Sequence, residues 1–146
     1  MRIAFIVCAA LIGGSAAMAE DAKMPALDSK EWKPVKGQEG LQFWDAVEGK
    51  GEACTAGAVV KIHYTGWTTD GNLFDTSKKT ATSAPATFPL KKLIKGWQEG
   101  VPGMKPGGTR RLYIPWTMAY GAEGSPPDIP AKADLVFEIE LISVAK

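Results

Sequence analysis

Cysteine and histidine are nearly missing: the 146-residue chain has two cysteines, Cys8 and Cys54, and one histidine, His63. That excludes a disulfide-stapled scaffold and leaves no His and Cys cluster at the spacing of a zinc site. An excess of one charge is missing too. The 17 Lys and Arg stand against 16 Asp and Glu, a formal charge of +1, so the chain lacks the basic surplus that neutralises phosphates and nucleic acid is not an expected partner. Neither the Gly-x-x-x-x-Gly-Lys-Ser/Thr loop nor the Gly-x-Gly-x-x-Gly turn occurs, which removes the common nucleotide cradles. Long hydrophobic runs are absent as well. The longest, Ile3 to Ile12, is ten residues, about half of the roughly 20 that a membrane span needs.

That short run has another use. Arg2 gives a positive start, the apolar run follows, Gly13, Gly14 and Ser15 break it, and Ala17-Met18-Ala19 has the small-x-small form of a cleavage site. Residues 1–19 therefore read as a signal peptide that delivers the chain to the periplasm or the medium without a stable membrane anchor. Its removal takes away Arg2 and Cys8 and leaves 16 basic and 16 acidic residues. Cys54 is then alone, no intrachain disulfide can form, and the thiol reads as a small apolar filler.

Beyond the signal, residues 20–40 mix charges with Pro25, Pro34 and Gly37 and show no period, which reads as a flexible lead with Trp32 as its one large apolar anchor. A folded domain is expected over 41–146. Sixteen Gly, ten Pro and 9% aromatic residues belong to strands and turns rather than to a helical bundle. Strands are predicted at 41–48, at 59–67 with Val60, Ile62 and Tyr64 on one face and His63 turned to solvent, at 72–75, at 109–115 and at 134–144, where Leu135, Phe137, Ile139 and Leu141 share a face. Residues 76–87 read as a flexible loop and 116–133 as a long loop of the kind that carries function.

One helix is predicted, opening at Pro89, with Leu90, Leu93, Ile94 and Trp97 at i, i+3, i+4 and i+7 and Gly100 at its end. Gly96 inside it costs about 1 kcal/mol relative to Ala, which implies close approach to a neighbouring backbone. The fold class is α+β, a bent antiparallel β-sheet wrapped around one short α-helix.

Most catalytic equipment is absent, so no metal and no cofactor is expected. Glu138 and Glu140 share a strand face and could be imagined as a glycosidase pair, although such a pair is far more often a solvated strand face. What remains is a convergence of Tyr64, Phe74, Asp75, Ile94, Trp97 and Phe137 from different elements. Any one of these could be ordinary core. Tyr64 and Asp75 are the exceptions, polar groups among apolar neighbours, and a hydrogen bond between them would satisfy both.

These residues carry a resemblance. Val60-Lys61-Ile62-His63-Tyr64-Thr65-Gly66, Asp70-Gly71 with Phe74-Asp75-Thr76-Ser77, Leu93-Ile94-Lys95-Gly96-Trp97-Gln98-Glu99-Gly100, Met104-x-x-Gly-Gly-x-Arg110, Ala119-Tyr120-Gly121 and Ala133-x-Leu-Val-Phe137-x-Ile-Glu-Leu141 resemble the FKBP-type peptidyl-prolyl cis-trans isomerases from about Leu41 to Val144. The resemblance implies a proline pocket with Trp97 as floor and Tyr64, Phe74, Leu93, Ile94 and Phe137 as walls. It further implies that Asp75 and Tyr120 are the catalytic polar groups at the rim, and that Ile129 closes the pocket from the long loop. Implied partners are proline-containing polypeptides and macrolide inhibitors of the rapamycin class. The chain departs from the pattern at Ala86, where another aromatic often stands, and at Ser125, where some members carry histidine. A non-enzymatic chaperone or partner-binding module of the same fold would carry much of the same sequence.

Overall fold

The computed structural model describes residues 32–80 and 82–145; the signal-peptide reading and most of the proposed lead lie outside them. Seven strands form one antiparallel sheet: β1 (Lys33–Pro34), β2 (Gln42–Val47), β3 (Val59–Thr68), β4 (Leu73–Thr76), β5 (Ala86–Pro89), β6 (Thr109–Ile114) and β7 (Leu135–Ala145). Their order is β1-β2-β6-β7-β3-β4, with β5 also paired to β3. The two longest strands, β3 and β7, run side by side from Val59 opposite Ala145 to Thr68 opposite Leu135. One α-helix stands among the described residues, α1 (Lys95–Gly100). The sheet and the helix give the α+β class expected from the sequence.

Period-two alternation accounts for the core. Val60 and Ile62 of β3, Leu112 and Ile114 of β6, and Leu135, Ile139 and Leu141 of β7 are all 0% exposed, and each set occupies every second position of its strand. The opposite face buries side chains as well. Trp67 and Val136 are buried, and they stand in one cross-strand row, Tyr113 to Val136 to Trp67. Trp32 packs edge-on against Tyr113, with ring centroids 6.4 Å apart. The ladder thus reaches back to Lys33, which pairs with Phe43, so a short part of the segment read as a flexible lead is a strand of the sheet.

The helix differs from its expected limits. Pro89 ends β5 instead of opening a helix, because its fixed φ suits extended chain equally well. A 3-10 turn follows at Leu90–Lys92, and Leu93 and Ile94 return to extended backbone, with ψ of 172° and 155°, before α1 begins. The apolar spacing of Leu90, Leu93, Ile94 and Trp97 marks the residues that face the core, and two separate elements deliver them. Gly96 and Gly100 sit on the helix face turned to β6, where an added Cβ would lie 2.4 Å from Ile114 and 2.7 Å from Leu112. The close neighbour of Gly96 is therefore a side chain rather than a backbone. Arg110 secures the end of α1: its guanidinium donates to Gly100 O at 2.9 Å and forks onto Asp45 at 2.6 and 3.1 Å.

The two loops are more ordered than the sequence implied. Part of the 76–87 segment pairs as β5, with Ala86 opposite Ile62 and Phe88 opposite Val60. The 116–133 segment contains a 3-10 turn at Trp116–Met118 and a two-way bridge in which Ser125 and Ile129 exchange N–H to carbonyl bonds of 2.8 and 2.9 Å.

Candidate active site

A cleft of about 240 Å³ opens where β3, β4, β5, α1 and β7 meet, lined by Tyr64, Phe74, Asp75, Phe88, Leu93, Ile94, Trp97, Tyr120 and Phe137. Eight of these nine were expected from the sequence. The exceptions are informative. Ile129, expected to close the pocket, is 4% exposed within the main core cluster and is not part of the lining. Phe88 does line the cleft and was missed, since it follows a Ser, Thr, Ala and Pro stretch read as loop. The alternation Ala86, Phe88 beside Pro89 was the available signal. Phe88 supplies an aromatic wall two residues after Ala86.

The floor is Trp97, 4% exposed. Three aromatic rings surround it at steep angles: Phe137 with centroids 5.1 Å apart at 85°, Tyr64 at 5.6 Å and 77°, and Phe88 at 6.4 Å and 90°. Phe74 packs the same way on Phe137, at 5.5 Å and 89°. Edge-to-face contact matches the positive edge of one ring to the negative face of the next, so the four rings hold one another in place around the floor. Trp97 Nε1 is buried without a hydrogen-bond partner.

The rim is polar. Tyr64 Oη donates to Asp75 Oδ2 at 2.7 Å, as the sequence implied, and Asp75 Oδ1 accepts the Thr76 N–H at 2.9 Å. Burial, then the hydrogen bond to Asp75, pushes the Tyr64 phenol well above its ordinary range. Tyr120, 40% exposed, is raised by burial and then by the Asp75 charge. Both phenols stay neutral O–H groups well into the alkaline range, and the Asp75 carboxylate accepts the Tyr64 proton.

The remaining candidates sit elsewhere. Cys54 is buried, its Sγ lies 3.5 Å from Thr55 O, and burial pushes its thiol up. His63 is half-buried rather than turned freely to solvent, with Nδ1 3.0 Å from Ser77 Oγ. Glu138 accepts from Arg111 at 3.1 Å, and Glu140 lies 3.7 Å from Lys78, so neither carboxylate of that pair faces the cleft. A larger groove of about 650 Å³ runs along 52–59, Pro106 and Val144, but it is lined mainly by small side chains without convergent polar groups. Among the described residues no three His, Cys, Asp or Glu side chains are placed to hold a metal ion, and no helix is long and apolar enough to cross a membrane.

Known proteins share both sequence and architecture. The FK506-binding protein of Neisseria meningitidis serogroup B is 44% identical over 105 residues, covering 72% of this chain and 96% of that one. The FKBP-type peptidyl-prolyl cis-trans isomerase FkpA of Aeromonas hydrophila is 40% identical over 133 residues, 91% of this chain and 46% of that one. The chain likewise spans only 29% of the FK506-binding protein 4 of Dictyostelium discoideum. Among solved structures, a peptidyl-prolyl cis-trans isomerase of Pseudomonas syringae superposes with a TM-score of 0.72 at 34% identity, over 82% of this chain and 84% of that one. FkpA of Escherichia coli gives 0.71 at 38% identity, over 80% and 53%. The profile of FKBP-type peptidyl-prolyl cis-trans isomerases matches residues 50–142, and with these identities the chain belongs to that family.

Proposed function

We propose that the cleft seats the proline ring of an X-Pro segment and speeds rotation about the peptide bond before it, in polypeptides exported along with this protein. The observation that carries this reading is Trp97, a nearly buried flat floor fenced by three rings and opening at a polar rim. At about 240 Å³ the cleft falls below the roughly 300–1,000 Å³ of drug-sized sites, which suits one side chain.

Rotation about an X-Pro bond breaks amide resonance, against a barrier of about 18–20 kcal/mol for peptide bonds generally, and takes tens to hundreds of seconds unaided. No covalent bond forms or breaks, so the task is to bind the twisted amide better than the planar one. The twisted amide is the less polar of the two, and dry aromatic walls disfavour the planar form relative to water. Fixing the ring on Trp97 while Tyr120 and Asp75 border the amide adds orientation. A ten-thousandfold acceleration requires only about 5.4 kcal/mol.

Export is inferred from Arg2, the run Ile3 to Ile12 and Ala17-Met18-Ala19. The names of the meningococcal relatives record FK506 binding, which makes a macrolide of the rapamycin class a competitor to test here. A protease-coupled isomerisation assay on Xaa-Pro peptides decides the main question, and competition by the macrolide locates the activity in the cleft. Absence of catalysis, with peptide binding retained, would favour a non-enzymatic partner-binding module instead. N-terminal sequencing of the exported protein is expected to begin at Glu20 or within a residue or two, and an intact Met1 would refute the export reading.

A further inference from the structure

Ser77 completes a backbone ladder with its side chain. Thr65 pairs with Thr76 and Gly66 with Asp75, so Tyr64 and Ser77 are the next pair in register. The Ser77 N–H donates to Tyr64 O at 2.9 Å. The reciprocal bond goes elsewhere: the Tyr64 N–H donates to Ser77 Oγ at 2.8 Å. β4 ends at Thr76, and where the chain leaves the sheet the Ser77 hydroxyl stands in for a carbonyl. Without it the Tyr64 N–H would lose its partner at the residue whose ring walls the cleft.

The hydroxyl has a third contact. Ser77 Oγ lies 3.0 Å from His63 Nδ1 and 3.4 Å from Tyr64 O. With one lone pair engaged by the Tyr64 N–H, the hydroxyl lies between Tyr64 O, to which it donates, and His63 Nδ1, and the two partners together restrict its rotation. Thr76 Oγ1 adds a further tie by donating to Tyr64 O at 3.0 Å. What this knot joins is Tyr64 of β3 and the two residues immediately after Asp75, Thr76 and Ser77. Tyr64 and Asp75 in turn make the rim bond of 2.7 Å through their side chains.

We propose that Ser77, in contact with His63, is a positioning residue that holds Tyr64 and Asp75 in reacting geometry through the backbone of β3. The inference rests on the reading of the cleft as the proline site. A polar hollow of about 160 Å³ adjoins this knot, with His63, Tyr64, Thr65, Lys78, Glu138 and Glu140 in its lining. Its carboxylates pair with Arg111 and Lys78, and the imidazole Nδ1 meets Ser77 Oγ.

The test compares Ser77→Ala, Ser77→Thr and His63→Leu with the wild type, using Tyr64→Phe to identify the Tyr64 signal. Three quantities are measured: kcat and KM on an Xaa-Pro peptide, the urea midpoint, and the ultraviolet alkaline titration of the phenols. Ser77→Ala is expected to lower kcat about tenfold with KM within about twofold, the pattern of an interaction needed in the transition state. Ser77→Thr, which keeps the hydroxyl, should restore kcat. His63→Leu should fall between them. In Ser77→Ala the Tyr64 phenol should ionise nearer its ordinary range, because its bond to Asp75 loosens.

A folded Ser77→Ala with unchanged kcat and an unmoved Tyr64 titration overturns the proposal. If that variant does not fold, His63→Leu decides by the same two readouts, since it leaves the Tyr64 N–H partnered. The titration needs no catalysis. A wild type without isomerase activity would defeat the functional reading, while the phenol would still judge the positioning role.

Discussion

Tyr64 Oη donates to Asp75 Oδ2 at 2.7 Å across a diagonal of the β3 and β4 ladder, where Asp75 faces Gly66 rather than Tyr64. Diagonal neighbours in a sheet are about 7–8 Å apart, within reach of a long aromatic side chain. The same Tyr64 ring packs edge-on against Trp97 at 5.6 Å. One residue therefore connects the apolar floor with the polar rim, and disturbance of either reaches the other through it.

Asp75→Leu should lower kcat/KM about tenfold or more, some 1.4 kcal/mol, while leaving the urea midpoint nearly unchanged. Asp75 is half-buried, and replacing a desolvated charge by an apolar side chain is often neutral for folding. Tyr120→Phe should have a smaller effect, because one neutral hydrogen bond is worth about 0.5–1.5 kcal/mol. Both rates and midpoints are measured on the same preparations. Loss of stability with full activity in the folded fraction of Asp75→Leu would remove Asp75 from the site.

Alkaline pH should destabilise the protein, and the sign follows from the phenols. The pKa values of Tyr64, Tyr113 and Tyr120 are all raised, chiefly by burial. In the unfolded chain a phenol ionises at about pH 10, before its folded counterpart does. The stability these groups contribute is fully present below that pH and is lost as pH rises above it. Urea midpoints from pH 8 to 11 should fall above about pH 10, and Tyr64→Phe should fall less steeply than the wild type. An equal slope in the two proteins would mean that Tyr64 is not held in its neutral form.

What the sequence revealed and what it hid have the same cause. Alternation exposed β3 and β7, because Val60 and Ile62, or Leu135 and Ile139, are buried by one consistent face. Alternation does not report the second face: the burial of Trp67 and Val136 depends on a row shared with Tyr113, against which Trp32 packs from far away in the chain. The spacing Leu90, Leu93, Ile94, Trp97 named the core-facing side chains correctly but not the extended break at Leu93 and Ile94, since periodicity records direction and not hydrogen bonding. Tyr64 and Asp75 stood out as misplaced polar groups. Phe88 did not, because a four-residue strand set beside a Pro and Ala loop has too few alternations to register.

Gly96→Ala should destabilise the protein, although Ala is by about 1 kcal/mol the better helix former. An added Cβ would lie 2.4 Å from Ile114 Cγ2 and under 3 Å from two further carbons of that side chain, contacts that force the helix away from β6. Overpacking of this kind costs typically about 1–3 kcal/mol. Trp97 is the next residue, so kcat/KM should fall with the urea midpoint. Ile114→Ala removes the clashing carbons, and the double variant should lose less than the sum of the two single losses. Strict additivity would show that the two residues do not meet.

Two ion pairs that look alike in a contact survey should differ sharply on mutation. Lys78 and Glu140 lie 3.7 Å apart with side chains 24% and 40% exposed, so Lys78→Ala should cost at most about 1 kcal/mol. Arg110 is only 9% exposed; it forks onto Asp45, donates to Gly100 O and Pro102 O, and lies over the Phe43 ring at 4.4 Å. Arg110→Leu strands two carbonyls at the end of α1 and leaves Asp45 unpaired. Asp45 is 33% exposed and regains some water, which places the cost at about 3 kcal/mol, the low end for a broken buried pair. Arg110→Lys should rescue little, because an ammonium cannot match the guanidinium fork. Since Gly100 ends the helix that carries Trp97, the arginine variants should also lose kcat/KM, whereas Lys78→Ala should keep it. Urea midpoints and rates on the three variants settle the comparison, and a smaller loss in Arg110→Leu than in Lys78→Ala would mean that the helix end is held by packing alone.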